Sequence, residues 1–209
     1  MEIDRVATNE LVSGIVPIMG IAAETRQRIL VAATAEFAEH GIAGARVDRI
    51  AATTPINKSQ IYSYFGSKDK LFDAVFAARV ETDVEATPLD AGDLPDYAAR
   101  LYDTYLNDPD LVRLLAWARL ERTPTGALFS HVPDRDSDVL AAIADSQARG
   151  VLVDDIAPED LWSMLIALAS TWAQSAIVYT ATAGEDPAEH ERRRAALRVS
   201  TRRAFCRAQ

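Results

Sequence analysis

The stretch Ile50-Ala51-Ala52-Thr53-Thr54-Pro55-Ile56-Asn57-Lys58-Ser59-Gln60-Ile61-Tyr62-Ser63-Tyr64-Phe65, followed by Gly66-Ser67-Lys68-Asp69-Lys70-Leu71, decides the reading of this chain. Val47, Ile50 and Ala51 form one face of a short helix, and Pro55 stops it because the residue before a proline leaves the helical region. Asn57 is placed to cap the next helix, where Ile61 and Phe65, four apart, anchor it from one side. Lys58, Gln60, Tyr62, Ser63 and Tyr64 are left facing outward. Two short helices about a tight turn, followed by a longer one, are the form in which a helix-turn-helix offers a recognition helix to the DNA major groove.

The flanks complete a small domain. Glu24 to His40 carries Ile29, Leu30, Ala33, Phe37 and Ala38 at helical intervals, with Gly41 expected to end the helix as a left-handed cap. Ser67 is expected to cap a fourth helix with Leu71, Phe72, Val75 and Phe76 inward.

These residues resemble the N-terminal domain of the TetR family of bacterial transcriptional regulators. The resemblance rests on the amphipathic helix ending in glycine, Ile50-Ala51, the Lys58-to-Phe65 segment with Ile61-Tyr62 and Tyr64-Phe65, and Lys68 and Leu71. Several cap, aromatic and basic positions agree at once, which a bare helix-turn-helix pattern does not require. By resemblance, Lys58, Gln60 and Tyr64 approach bases or the adjacent backbone, Tyr62 and Lys68 contact phosphates, and Arg46 and Val47 sit at the backbone beside the second helix. With Ser59 and Ser63 these make the expected DNA-docking face. Chemistry supports that division, since glutamine can read adenine edges while lysine and tyrosine hydroxyls mainly fix register on phosphates. Two departures stand out. Arg46 occupies the position of the usual Ser or Thr cap and cannot cap, and Pro55 stands where the turn usually has glycine, so an altered turn backbone is expected.

Composition bounds the remainder. The single Cys206 excludes an intramolecular disulfide framework and suits a reducing cytosol. A formal charge of -9 is unusual for a DNA binder until it is divided. From Glu24 to Lys70 seven Lys and Arg stand against five acids, a net of +2, so the acid lies elsewhere and DNA would meet a small docked module. The division expected is an extension over 1-23, a helix-turn-helix domain over 24-76, and a helical ligand-binding and dimerisation domain over 77-209. The extension has acids where a signal peptide needs bases, and Pro17 and Gly20 interrupt its apolar run, which argues for a tail or a short packed helix; Met19 is an alternative start.

Beyond Val80 the periodicity is helical throughout, so the fold expected is all-α. Helices are predicted near Asp96 to Leu106, Pro109 to Arg122, Asp136 to Arg149, Pro158 to Thr182 and Pro187 to Cys206. Leu161 to Gly184 carries no charge, but its seven Ser, Thr and Gln and its acidic flanks argue for a helix buried in an oligomer over a membrane span. Its stripe of Trp162, Ile166, Ala169, Ala173 and Ala176 has small residues that allow close approach, and the resemblance implies that the last two helices pair with their copies. Ala169, Ala173 and Ala176 are therefore the expected dimer contacts.

Other chemistry is faint. No catalytic motif is present, the three histidines show no metal-ligand spacing and read as solvated or capping, and the Arg192-Arg193-Arg194 run reads as a solvated helix face. Asp134, Asp136 and Asp138 imitate a calcium loop but lack its glycine and its final glutamate. No cofactor or metal is expected. The family usually encloses a cavity among helices five to eight, for which Tyr102, Tyr105, Trp117, Phe129 and His131 are the expected lining; the matching effector is bulky and largely apolar, with Arg113 or Arg119 available if it carries an acid. The sum is a homodimeric transcriptional regulator, a repressor released from a palindromic double-stranded operator by a small molecule. The competing reading is a helical enzyme or interaction module with a vestigial helix-turn-helix; salt-sensitive, sequence-selective DNA binding without turnover separates the two.

Overall fold

The computed structural model describes residues 7–128 and 135–207, and side chains over 22–128 and 137–207. Among these residues the fold is all-α, with no strand. Two units part between Val75 and Phe76.

The first unit holds α1 (Ala7–Gly44), α2 (Val47–Ala52), α3 (Lys58–Phe65) and the start of α4 (Lys68–Ala86). Helix α1 runs continuously from Ala7, so the expected helical start at Glu24 lies well inside it. Gly41 breaks α1 at φ 71, ψ -179. That combination is an extended, positive-φ conformation reserved for glycine rather than the left-handed cap that was expected. The core of the unit forms from the predicted stripes. Ile29, Ala33, Phe37, Ile50, Ile61, Leu71 and Val75 are almost wholly buried, and Phe37 meets Phe72 edge-on at 5.3 Å between centroids. Such a contact adds about 0.5–1.5 kcal/mol to area burial.

The second unit holds the rest of α4, then α5 (Leu94–Asn107), α6 (Pro109–Glu121), α7 (Arg135–Ala148), α8 (Pro158–Ala169) and α9 (Pro187–Phe205). Caps start three of these helices: Asp93, Asp108 and Asp186 accept first-turn amides, each with proline in the opening turn. Helix α5 packs on α9 and α8, burying Tyr97, Leu101, Ile143, Leu161, Leu165 and Leu197.

Helix α8 ends at Ala169, not near Thr182. The Ser170 hydroxyl donates to the Ala167 carbonyl at 3.1 Å and Thr171 to that of Leu168 at 2.6 Å, which offers the backbone a turn in place of helix. Residues 170–186 then run as turns, leaving Ile177 and Val178 almost fully exposed. The helical stripe expected along a long α8 therefore stops at Ala169. Ala169 and Ala173 belong to the protomer's own core, and Ala176 lies past the helix end.

Candidate DNA interface and C-terminal pocket

Helix α3 is built as its sequence dictates. Asn57 Oδ1 accepts the Gln60 amide at 2.9 Å, and Gln60 Oε1 accepts the Asn57 amide at 3.1 Å, a reciprocal capping box. Gly66 closes the helix at φ 78, its amide donating to the Tyr62 carbonyl at 2.7 Å. With Ile61 and Phe65 buried, one continuous face of Lys58, Ser59, Gln60, Tyr62, Ser63 and Tyr64 is exposed.

The turn before α3 is held by a threonine. The Thr54 hydroxyl lies 3.4 Å from the Ile50, Ala51 and Ile56 carbonyls and from the Ile56 amide, so this side chain ties the end of α2 to the residue that follows Pro55. Turn chemistry of this kind does not need a left-handed glycine.

The start of α2 is held from outside. Arg46 is its N-cap residue and makes no side-chain cap. Instead Glu36, a buried acid on α1, accepts the Arg46 amide at 2.7 Å and the Arg49 Nε at 2.8 Å, while Arg49 also donates to the Gly44 carbonyl at 2.9 Å. Burial pushes the Glu36 carboxyl up, but the Arg49 hydrogen bond, the Arg46 amide and the nearby charges of Arg49 and His40 outweigh it and hold the group below the ordinary carboxylate range. One carboxylate thus fixes α2 against α1, and the Arg46 side chain stays exposed. Sequence reading missed Glu36. Its signal was a charge one residue before Phe37 on an apolar stripe.

The remaining expected contacts divide. Val47 is buried, so beyond its backbone it offers nothing to a docking face. Lys68 Nζ donates to the Ala43 and Ala45 carbonyls at 3.0 and 3.2 Å, tying α4 to the end of α1 while leaving one ammonium hydrogen. Lys58 pairs with Asp48 at 2.9 Å, and that hydrogen bond and charge raise its ammonium above the ordinary lysine range. Gln60 Oε1 already accepts the Asn57 amide through the capping box, which leaves its second lone pair and its amide hydrogens for bases. An open groove of about 940 Å³ between α1 and α2 is lined by Val31, Glu36, Arg49 and Pro55, and its principal charges are spent on each other.

In the second unit a cavity of about 330 Å³ is lined by Tyr105, Trp172, Gln174, Ala181 and Thr182. Tyr105 is on its wall. Trp117 is half-buried and not among the lining residues, and Phe129 and His131 lie outside the described residues. Tyr102 is fully buried and serves a polar cluster: its hydroxyl sits 2.7 Å from His190 Nδ1 and accepts from Arg193 Nη1 at 3.2 Å. Neither His190 nor Arg193 is the solvated group their sequence context suggested, since both are buried. Arg193 also pairs with Glu185 at 2.5 Å and lies over the rings of Trp172 and Tyr179, at 5.9 and 5.3 Å. Burial lowers its pKa, but the hydrogen bonds it donates to Tyr102 and Glu185 and the charges of those groups more than restore it, so it is held above the ordinary arginine value. The signal was periodic: His190, Arg193, Leu197, Thr201 and Phe205 recur at helical spacing on one buried face.

Among the described residues no group of three or more His, Cys, Asp or Glu is placed to hold a metal ion, and no helix is long and apolar enough to cross a membrane.

Comparison with known proteins agrees across the chain. Residues 29–75 match the model of bacterial regulatory proteins of the tetR family, and residues 93–203 match that of the tetracyclin repressor-like C-terminal domain. The chain is 38% identical to the HTH-type transcriptional repressor SCO4008 of Streptomyces coelicolor over 85% of its own length and 96% of that protein. It is 28% identical to the HTH-type transcriptional repressor NicS of Pseudomonas putida, over 70% of this chain and 74% of that one. The crystal structure of the transcriptional regulator SCO4942 from Streptomyces coelicolor superposes with a TM-score of 0.72 at 38% identity, covering 88% of this chain and 99% of that one.

Proposed function

The chain belongs to the TetR family of bacterial regulatory proteins, a family of DNA-binding transcriptional regulators, and from that premise we propose a homodimeric repressor that leaves its operator when a small molecule occupies the second unit. The observation that carries the DNA half is the exposed α3 face, presented by a helix whose cap, turn and entry are each held by hydrogen bonds to named side chains. A single eight-residue helix reads few base pairs, so two copies on a two-fold axis are needed to specify a site.

In this reading Tyr62, Lys58 and Lys68 fix register on phosphates, Arg46 reaches a phosphate beside α2, and Gln60 and Tyr64 meet base edges. Lys58 exchanges Asp48 for phosphate. For the dimer, the support now comes from exposed Met164 on α8 and Val199 on α9 rather than from the alanines of the sequence reading. For the effector, the cavity beside Tyr105 and Trp172 is of ligand size. Its occupant would have to prefer one arrangement of the two DNA-binding units over the other, because a ligand shifts an equilibrium only by its differential affinity.

Footprinting on DNA flanking the protein's own gene tests this. The expected result is a protected palindrome that is lost when Tyr62 and Lys68 are both replaced by alanine in a folded protein. Retained protection by that double variant would remove α3 as the docking element.

A further inference from the structure

The cluster around Arg193 has more donors than acceptors. Arg193 Nη1 donates to the Tyr102 hydroxyl, so the arrangement that uses every hydrogen has Tyr102 donating in turn to His190 Nδ1. Neutral His190 then carries its proton on Nε2. That Nε2 and the Arg193 Nε are both buried and have no hydrogen-bond partner among the described residues. Two orphaned donors in one cluster are costly to leave without an acceptor. The cluster reaches the cavity through Trp172, which lines it and lies under Arg193.

The carboxylate paired with Arg193 is more open than Arg193 itself. Glu185 lies in the turn segment between α8 and α9, with its side chain 19% exposed against 4% for Arg193. It bridges Arg193 and the Thr182 amide at 2.7 Å, and Thr182 lines the cavity. Trp172 belongs to both places: it lines the cavity, meets Tyr102 edge-on at 5.9 Å and lies under Arg193.

We propose that this cluster is an acid-binding subsite for a flat aromatic carboxylate, whose ring lies against Trp172 and Tyr105 and whose carboxylate takes the place of Glu185 on Arg193. The ligand's oxygens supply acceptors to the orphaned donors, and the rings give a planar partner its apolar contact. Arginine is the fitting cation, because its planar fork matches a carboxylate in two places. Displaced Glu185 also gives up the Thr182 amide, so occupancy is coupled to the connection between α8 and α9. The assignment moves the acid partner from Arg113 or Arg119 to Arg193. It rests on the reading that the second unit takes an effector.

The test measures binding without DNA, so that failure of the subsite and failure of DNA release are told apart. Tryptophan quenching is titrated with benzoate, 1-naphthoate and indole-3-carboxylate, and with the primary amide of each. At least one acid should bind at micromolar to low millimolar concentration, about tenfold or more tighter than its amide. Glu185→Ala, which removes the internal competitor from an exposed turn, should tighten the acid several-fold and leave the amide unchanged. Arg193→Lys keeps the charge but loses the fork, and should weaken the acid about tenfold in a protein of native circular dichroism. Equal binding of acid and amide, no binding by any of the three acids, or weaker acid binding by Glu185→Ala would each overturn the proposal.

Discussion

Lys58 and Arg193 are both cations paired with a carboxylate, and the two pairs differ in nearly everything else. Lys58 and Asp48 are about half and two-thirds exposed on the first unit, at 49% and 70%, whereas Arg193 is shut among aromatic rings in the second. An exposed pair is worth little and its partners exchange easily, so a phosphate can take Lys58 from Asp48 at small cost. A buried cation is costly to leave alone, so a ligand that displaces Glu185 from Arg193 has to supply an equivalent anion, and a protein without Glu185 binds such an anion more readily. The DNA-binding unit therefore keeps its charges ready to exchange, and the second unit keeps its charge for a matched replacement.

The sharpest way to separate the two regions is to loosen one alone. Phe37→Ala empties the centre of the first unit, where Phe37 is wholly buried against Phe72, and should cost it about 3–5 kcal/mol. All three tryptophans, Trp117, Trp162 and Trp172, lie in the second unit. Denaturant unfolding should then show an early transition in circular dichroism that tryptophan fluorescence does not follow, with DNA binding lost. Coincident transitions by both probes would mean that the units do not respond separately.

A smaller effect is expected at Glu36. Glu36→Ala leaves the Arg46 amide and the Arg49 guanidinium without their acceptor and should destabilise the first unit by about 1–3 kcal/mol. Because the folded pKa lies below the ordinary carboxylate value, its stabilisation is complete above that range and is lost as pH falls through the folded pKa. Acid titration of the first unit should therefore show a step that Glu36→Gln flattens. An unchanged acid profile in that variant would assign the step to other carboxylates.

The capping box gives a comparison within α3 itself. Asn57→Ala should cost about 1 kcal/mol of stability and leave base preference alone. Gln60→Ala loses the other half of the box and should in addition relax preference at one base pair by about 1–3 kcal/mol. Matching selectivity in the wild type and Gln60→Ala would leave Gln60 a purely structural role.

The smallest effect concerns the exposed pair. Asp48→Asn should leave thermal stability unchanged and raise affinity for all duplexes a few-fold, since Lys58 is freed for phosphate. Unaltered affinity would show that Lys58 does not reach DNA.

Local chemistry made α3 legible in the sequence: its Asn57 cap and its Ile61–Phe65 anchor lie in the helix and the residue just before it. Tertiary chemistry was not legible. The acceptor that replaces the missing cap of α2 comes from Glu36, ten residues before Arg46; a charge beside Phe37 on an apolar stripe marks Glu36 as unusual but does not show which amide it serves. Helix α8 was read too long because an uncharged apolar run gives no sign of where hydroxyls turn back onto carbonyls, as Ser170 and Thr171 do. Arg193 was hidden inside a run of three arginines, and only the period shared with Leu197 and Phe205 shows that one of the three faces the core.

The most direct measurement is a binding titration, over a range of salt, of the footprinted palindrome against the same duplex with one half-site scrambled. Two protomers should occupy the palindrome, far more tightly than the scrambled duplex, with log affinity falling linearly in log salt and a shallower slope once Lys68 is replaced by alanine. Equal affinity for the two duplexes at every salt concentration would contradict sequence-specific recognition by paired α3 helices.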